Sequence, residues 1–295
     1  MCYNHPMKKA SGSLLLVLTA LIWGTAFVAQ RYGMDFVGPF TFQAVRTLLG
    51  FLTLLPVALL RKKRLGAAFR MPSLRAVLAC GLPLMAASTL QQVGLTTVPA
   101  GKAGFITALY VVLVPVFGIF LGRRTNGRTW IGVALSVVGL YLLSSIGSLS
   151  VSSGELLVIG CAVLFALQIL AVDHFAPECD GVMLSCLQFL VAGLIPLPLG
   201  LLLEHPQWSQ LWDARVAILY TGVFSCGIAY TLQILGQRRT PPALASLIMS
   251  LESVFSVVFG ALLLHETMTV KELIGCALML GAVVLSQLPE KTQIA

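Results

Sequence analysis

Ten apolar runs separated by short polar breaks outline this chain, at approximately 13–30, 38–60, 73–95, 102–121, 129–146, 154–173, 182–203, 215–236, 243–264 and 269–288. At about 1.5 Å of rise per residue, a helix of such length crosses a hydrocarbon core of about 30 Å. Hydrocarbon offers no partner to backbone N–H and C=O groups, so each run is predicted to be a helix that satisfies them internally. The ninth run, ALASLIMSLESVFSVVFGALLL from Ala243 to Leu264, has twenty-two residues and a single charge, Glu252, near its middle. An ionisable group at that depth costs about 3 kcal/mol or more unless a cavity, a partner or a proton relieves it. Glu252 is therefore the first candidate functional residue.

The runs repeat. SLLLVLTALIWGTAFVAQ at Ser13 is followed 142 positions later by ELLVIGCAVLFALQILAV, with Trp23 opposite Phe165. LQQVGLTTVPAGKAGF at Leu90 aligns at the same offset with LQILGQRRTPPALASL at Leu232, and Pro56, Gly118, Thr125 and Gly139 find Pro198, Gly260, Thr267 and Gly281. One offset over such a length marks a duplicated unit of five helices, predicted at 13–146 and 154–288, between an N-terminal segment 1–12 and a tail 289–295. An odd number of crossings makes the second unit enter from the opposite side, so the halves are expected to be inverted repeats. The expected fold is an all-α polytopic membrane protein of ten helices. Inverted repeats of this kind build carriers whose substrate site lies near the midplane between the halves.

Composition agrees: 58% of the 295 residues are hydrophobic, 10% are charged, and mean hydropathy is +0.93. The net charge of +8 is distributed as a topology signal and not as a nucleic-acid surface. With the N-terminus in the cytoplasm, fourteen Lys and Arg fall inside (among them Lys8, Lys9, Arg61–Arg64, Arg123, Arg124, Arg238 and Arg239) and four outside (Arg31, Lys102, Arg215, Lys271). That bias predicts both termini in the cytoplasm of a multi-pass cell-membrane protein. The inner loop from Ala176 to Gly181, with Glu178 and Asp180 and no base, goes against it. Seven cysteines, mostly inside apolar runs, imply no disulfide framework. Lys8 and Lys9 before an apolar run resemble a signal peptide, but nine further runs follow and the first is kept as a helix.

The order of several weak motifs resembles the EamA family of the drug/metabolite transporter superfamily, from Leu14 to Ser286. These are Trp23-Gly24 in the first run, Pro39 followed by Arg46 in the second, PVFGIFLG from Pro115, a basic turn with Trp130 and Gly132, Glu252 with VFSVVFGALLLHE, and the last run LIGCALMLGAVVL. The resemblance implies a ten-helix carrier of small organic metabolites, commonly an exporter of amino acids or related compounds, with no bound cofactor. The chain departs from the family pattern at Ser253, where proline usually follows the glutamate, and at Gly122, where a glutamate usually precedes the arginine. The first departure leaves the bend of the ninth helix open.

At the shared offset Glu252 matches Tyr110, and the two are expected to mark one midplane site. Helical spacing puts Ala245, Ile248, Met249, Phe255, Ser256 and Phe259 on the face of Glu252, and Gln43, Arg46, Gly50 and Thr53 on one stripe of the second helix. A guanidinium keeps its charge, whereas a carboxyl can take up a proton. Arg46 thus suits a substrate carboxylate, and Glu252 a substrate ammonium or a coupling proton; pairing of Arg46 with Glu252, or snorkelling of Arg46, remains the alternative. Trp23, with Ala26, Phe27 and Gln30, is a candidate aromatic wall or plain packing. Gln30, Gln91, Gln92 and Ser88 fall toward the outside and Gln168, Tyr230, Gln233 and Gln237 toward the inside, as two wet vestibules or as glue between helices. On the eighth helix Cys226, Tyr230, Gln233 and Gln237 share a face.

The four histidines show no metal spacing, and Gly94–Lys102 is too long for a phosphate loop. The expected partners are a small-molecule metabolite and the bilayer, with the protein a monomer or homodimer. An exporter of organic cations is the alternative function. A membrane-embedded lipid-modifying enzyme is the alternative from another class, but no paired aspartates, histidine cluster or serine elbow support it.

Overall fold

A computed structural model describes residues 6–143, 152–264 and 268–288. The proposed tail, His5, His265 and Thr267 lie outside the described residues. The described chain is helical without strands: α1 (Pro6–Gly33), α2 (Pro39–Leu65), α3 (Leu74–Gly94), α4 (Ala100–Thr107), α5 (Tyr110–Phe120), α6 (Gly127–Leu143), α7 (Ser153–Phe175), α8 (Gly181–Leu194), α9 (Pro196–Leu203), α10 (Trp208–Asp213), α11 (Arg215–Leu219), a π-helical segment (Tyr220–Ala229), α12 (Tyr230–Gln237), α13 (Pro242–Met249), α14 (Glu252–Leu264) and α15 (Val270–Gln287). Taken with their continuations, nine helices among the described residues are long and apolar enough to cross a membrane. The fifth run forms the shorter apolar helix α6.

Local chemistry explains where helices begin. Ser152 and Glu155 form a capping box before α7, and Thr269 and Glu272 form another before α15, each satisfying two orphan N–H groups of a first turn. Asp180 accepts from Val182 N at 3.1 Å and Met183 N at 3.0 Å, capping α8. Arg61, near the end of α2, donates to the same carboxylate at 2.8 Å and 3.1 Å. The acidic loop that opposed the charge bias is thus the counter-charge of the basic end of α2. One repeat away the chemistry is exchanged: Glu204, after α9, accepts from Phe40 N at 2.9 Å and Thr41 N at 2.8 Å and caps α2.

The duplication reaches into the backbone. Pro99 (φ −56°, ψ 144°) starts α4 and Pro241 (φ −55°, ψ 146°) starts α13. Both of these crossings break after eight residues, a little over two turns, at 108–109 and 250–251. No proline lies in either break. The chain tightens instead to three-residue bonds, Leu109 N to Ile106 O and Val111 N to Ala108 O in one, Leu251 N to Ile248 O and Ser253 N to Ser250 O in the other. The ninth crossing is therefore broken with Ser253, and not proline, following Glu252. Ser253 uses its hydroxyl to tie the bend to the first repeat, donating to Gly104 O at 3.2 Å.

The halves interlock as two inverted repeats. α1 packs on the π segment, α12 and α14, as α7 packs on α3 and α5, while α2 faces α8 and α6 faces α15. Small residues permit the closest approaches. A Cβ at Gly24 would stand 2.6 Å from Phe255 Cβ and 2.7 Å from Glu252 O, so α1 lies directly against the start of α14.

Candidate functional site

Between the repeats lies a narrow cavity of about 30 Å³ of water-accessible space, room for a water or two in this conformation. α1 contributes Trp23, Ala26, Phe27 and Gln30; α7 contributes Phe165, Gln168 and Ile169. Arg46, Gln91, Thr107, Tyr110, Ser225, Tyr230, Gln233 and Glu252 complete the wall. Five pairs on this wall are related by the 142-residue offset: Trp23 and Phe165, Ala26 and Gln168, Phe27 and Ile169, Gln91 and Gln233, Tyr110 and Glu252. The cavity thus sits where the repeats meet, and all its lining residues except Trp23 are buried.

The two helix breaks deliver its central contact. Glu252 opens α14 and Tyr110 opens α5, so both side chains project from the first turn of a half-helix. Tyr110 donates its hydroxyl to Glu252 Oε1 at 3.0 Å, and Glu252 Oε2 has no hydrogen bond among the described residues. Glu252 is 3% exposed. Position at a helix N-terminus favours negative charge there.

Arg46 is 5% exposed and lies in the wall, which rules out snorkelling to a membrane face in this conformation. No ion pair within 4.0 Å joins it to Glu252 among the described residues. Its Nε donates to Gln43 Oε1 at 2.8 Å, and Gln43 Nε2 donates to Ser88 Oγ at 2.6 Å. One edge of the guanidinium is anchored, and its terminal amino groups have no hydrogen-bond partner among the described residues. The cavity therefore holds one cationic and one carboxyl group, separately supported.

Aromatic rings close it. Trp23 packs on Tyr230 with centroids 4.6 Å apart, and Tyr230 meets Phe189 edge-on at 5.2 Å. Gln91 Nε2 donates to Thr107 Oγ1 at 3.1 Å, Gln233 Nε2 to Gln168 Oε1 at 3.1 Å, and Gln237 Nε2 to Ile169 O at 2.9 Å.

Of the residues singled out from sequence, Glu252, Tyr110, Arg46, Trp23, Tyr230 and Gln233 come together on the wall. Gln43 stands behind Arg46. Gln92 is fully buried off the wall, with neither amide atom partnered. Ser256, one turn after Glu252 on the same helix α14, is buried but does not line the cavity; its backbone N lies where Gly24 of α1 approaches. Cys226 likewise turns away, against Gly50 of α2, because the π segment inserts a residue into the helical register. That same insertion turns Ser225 toward the cavity, a residue the sequence did not suggest. Thr107, at the end of α4, was also missed, because a threonine before a break with no proline carries no signal.

A family model described as the EamA-like transporter family matches residues 10–145 and 152–288, one match on each repeat. The chain belongs to the EamA-like transporter family. It is a multi-span membrane protein of the drug/metabolite transporter superfamily. An uncharacterized transporter of Archaeoglobus fulgidus is 29% identical over 283 residues, covering 96% of this chain and 87% of that one. The threonine/homoserine exporter RhtA of Escherichia coli is 29% identical over 273 residues, covering 91% and 88%. A solved crystal structure shares the fold with a TM-score of 0.80 at 20% identity, covering 94% of this chain and 96% of that one.

Proposed function

We propose that this transporter exports a small zwitterionic metabolite such as an amino acid, by alternating access around the cavity between its repeats. The observation that carries the reading is the presence, in one buried cavity, of an anchored guanidinium with free amino groups and a carboxyl with a free oxygen. An α-carboxylate suits Arg46 through two parallel charge-assisted bonds. An α-ammonium suits Glu252, and the rings of Trp23 and Tyr230 can face the same cation. Gln43 positions Arg46, Tyr110 positions Glu252, and Ser256 and Gln92 act from outside the wall.

Glu252 is also the group through which we propose proton coupling: binding substrate and proton in turn at one carboxyl links their movements. Outward transport is supported by the printed name of RhtA, and cytoplasmic termini in the cell membrane by the count of basic residues. Function as a carrier and not an enzyme is supported by the names of the relatives.

Ligand-dependent thermal stabilisation of the purified protein tests the reading, since a ligand at a hundred times its Kd adds about 2.7 kcal/mol. Amino acids should stabilise the parent and fail to stabilise Arg46→Ala or Glu252→Gln. The aromatic wall beside a carboxyl favours one second reading, an exporter of organic cations. Stabilisation by amines alone, unaffected by Arg46→Ala, would select it.

A further inference from the structure

We infer that Gln233, Gln168 and Gln188 form a neutral polar subsite, with Gln233 as its contact residue, that selects substrates carrying a hydroxyl or carboxamide on the side chain. The inference deepens the zwitterion reading and rests on it. All three glutamines have no exposed surface. Gln233 Nε2 donates to Gln168 Oε1 at 3.1 Å, and Gln168 Nε2 approaches Gln188 Oε1 at 3.4 Å. The chain of amides ends unpaired on both sides, at Gln233 Oε1 and Gln188 Nε2. Gln233 and Gln168 line the cavity, so the acceptor end of the chain belongs to the wall.

A donor without a partner belongs to the same wall. Trp23 Nε1 is buried and unbonded, and its indole packs on Tyr230, which precedes Gln233 by three residues on α12 and so shares its face. An orphan donor and an orphan acceptor in one wall require a ligand group that both accepts and donates. A hydroxyl or a carboxamide does both; a methyl group does neither and leaves buried polar groups unpaired. The amide chain can also reverse: if all three carboxamides rotate, Gln188 donates to Gln168, Gln168 donates to Gln233, and a donor replaces the acceptor at the cavity. Either polarity is met by the same two ligand groups.

The repeat shows that this chemistry is peculiar to the second half. Gln91, the partner of Gln233 at the 142-residue offset, is closed on Thr107 Oγ1 at 3.1 Å. Gln188 occupies the position that Arg46 holds in the first half. At this one register position the first repeat thus carries a charge and the second a neutral amide.

The test is direct ligand binding to the full chain in nanodiscs with near-isosteric pairs, L-threonine against L-valine and L-asparagine against L-leucine. The hydroxyl or amide member should bind at least about tenfold more tightly, because a site with buried polar groups rejects an analogue that leaves them unpaired. Gln233→Met should bring the ratio within about threefold of one while valine affinity stays within about threefold of the parent. Equal affinity for threonine and valine in the parent overturns the subsite whether or not the variant folds, as does a variant that loses both ligands equally. The pair 2-aminoethanol and n-propylamine separates this failure from that of the zwitterion reading. A hydroxyl preference among amines with no amino acid bound keeps the subsite and removes the zwitterion, and absence of preference in every pair removes the subsite.

Discussion

Replacing Tyr110 with phenylalanine removes one oxygen from the cavity wall, and its cost depends on what stands opposite. In the parent, Tyr110 gives Glu252 its protein hydrogen bond, at 3.0 Å, and Glu252 is 3% exposed. Removing the donor leaves a buried carboxyl oxygen unmatched, a loss of about 1–3 kcal/mol. With Glu252→Met already in place, the tyrosine hydroxyl is itself the unmatched group. Its removal should then be neutral or slightly stabilising. The coupling between the two sites is therefore about 1–3 kcal/mol, in the range found for contacting residues. At about 2 °C or more per kcal/mol for a chain of this size, Tyr110→Phe should lower the thermal midpoint of the purified protein by several degrees in the Glu252 background and leave it unchanged or raised in the Met background. Equal shifts in both backgrounds would refute the claim that the two repeats meet through this hydrogen bond.

Gly24→Ala should destabilise the protein by about 1–3 kcal/mol, since its Cβ would meet Glu252 O at 2.7 Å and Ser256 N at 2.9 Å, while Gly281→Ala, with nothing within 4 Å, should raise the midpoint slightly. Thermal midpoints of the two variants check this pair of opposite signs. Gln43→Leu takes the anchor from Arg46 and should weaken ligands that carry a carboxylate about tenfold, with amine ligands unchanged, as read by binding. Asp180 is pushed up by burial, but the hydrogen bonds from Arg61 and the backbone N–H groups of Met183 and Val182 outweigh this and hold its carboxyl below the usual value. Its folded-state pKa is thus lowered, so its stabilisation is complete above the ordinary carboxylate pKa of about 4 and is lost as pH falls through the lower folded value. A midpoint-against-pH curve should therefore lose its acid-side slope in part in Asp180→Asn; an unchanged slope contradicts the assignment.

The duplication was the most legible feature, because one offset carried Trp23 onto Phe165 and Tyr110 onto Glu252, and the structure brings both pairs to one cavity. Composition and run length announced the crossings for the same reason: hydrocarbon constrains helix length and polarity residue by residue. The faces within the crossings were less legible. Regular spacing put Ser256 beside Glu252, and both do lie on α14, yet only Glu252 reaches the cavity because α1 packs against Ser256 at Gly24; it also put Cys226 beside Tyr230, where a π segment shifts the register between the two. Helical spacing did put Gln43 on the stripe of Arg46, but Ser88, which accepts from the Gln43 amide, comes from another helix and could not be paired with it from spacing.

Counterflow of radiolabelled L-threonine in proteoliposomes, compared among the parent, Arg46→Ala and Glu252→Gln, tests the central claim most directly. The account predicts saturable exchange by the parent and loss of exchange when either charged side chain of the cavity is removed. Exchange that persists undiminished without Arg46 and without Glu252, or no exchange of any zwitterion by the parent, would contradict it.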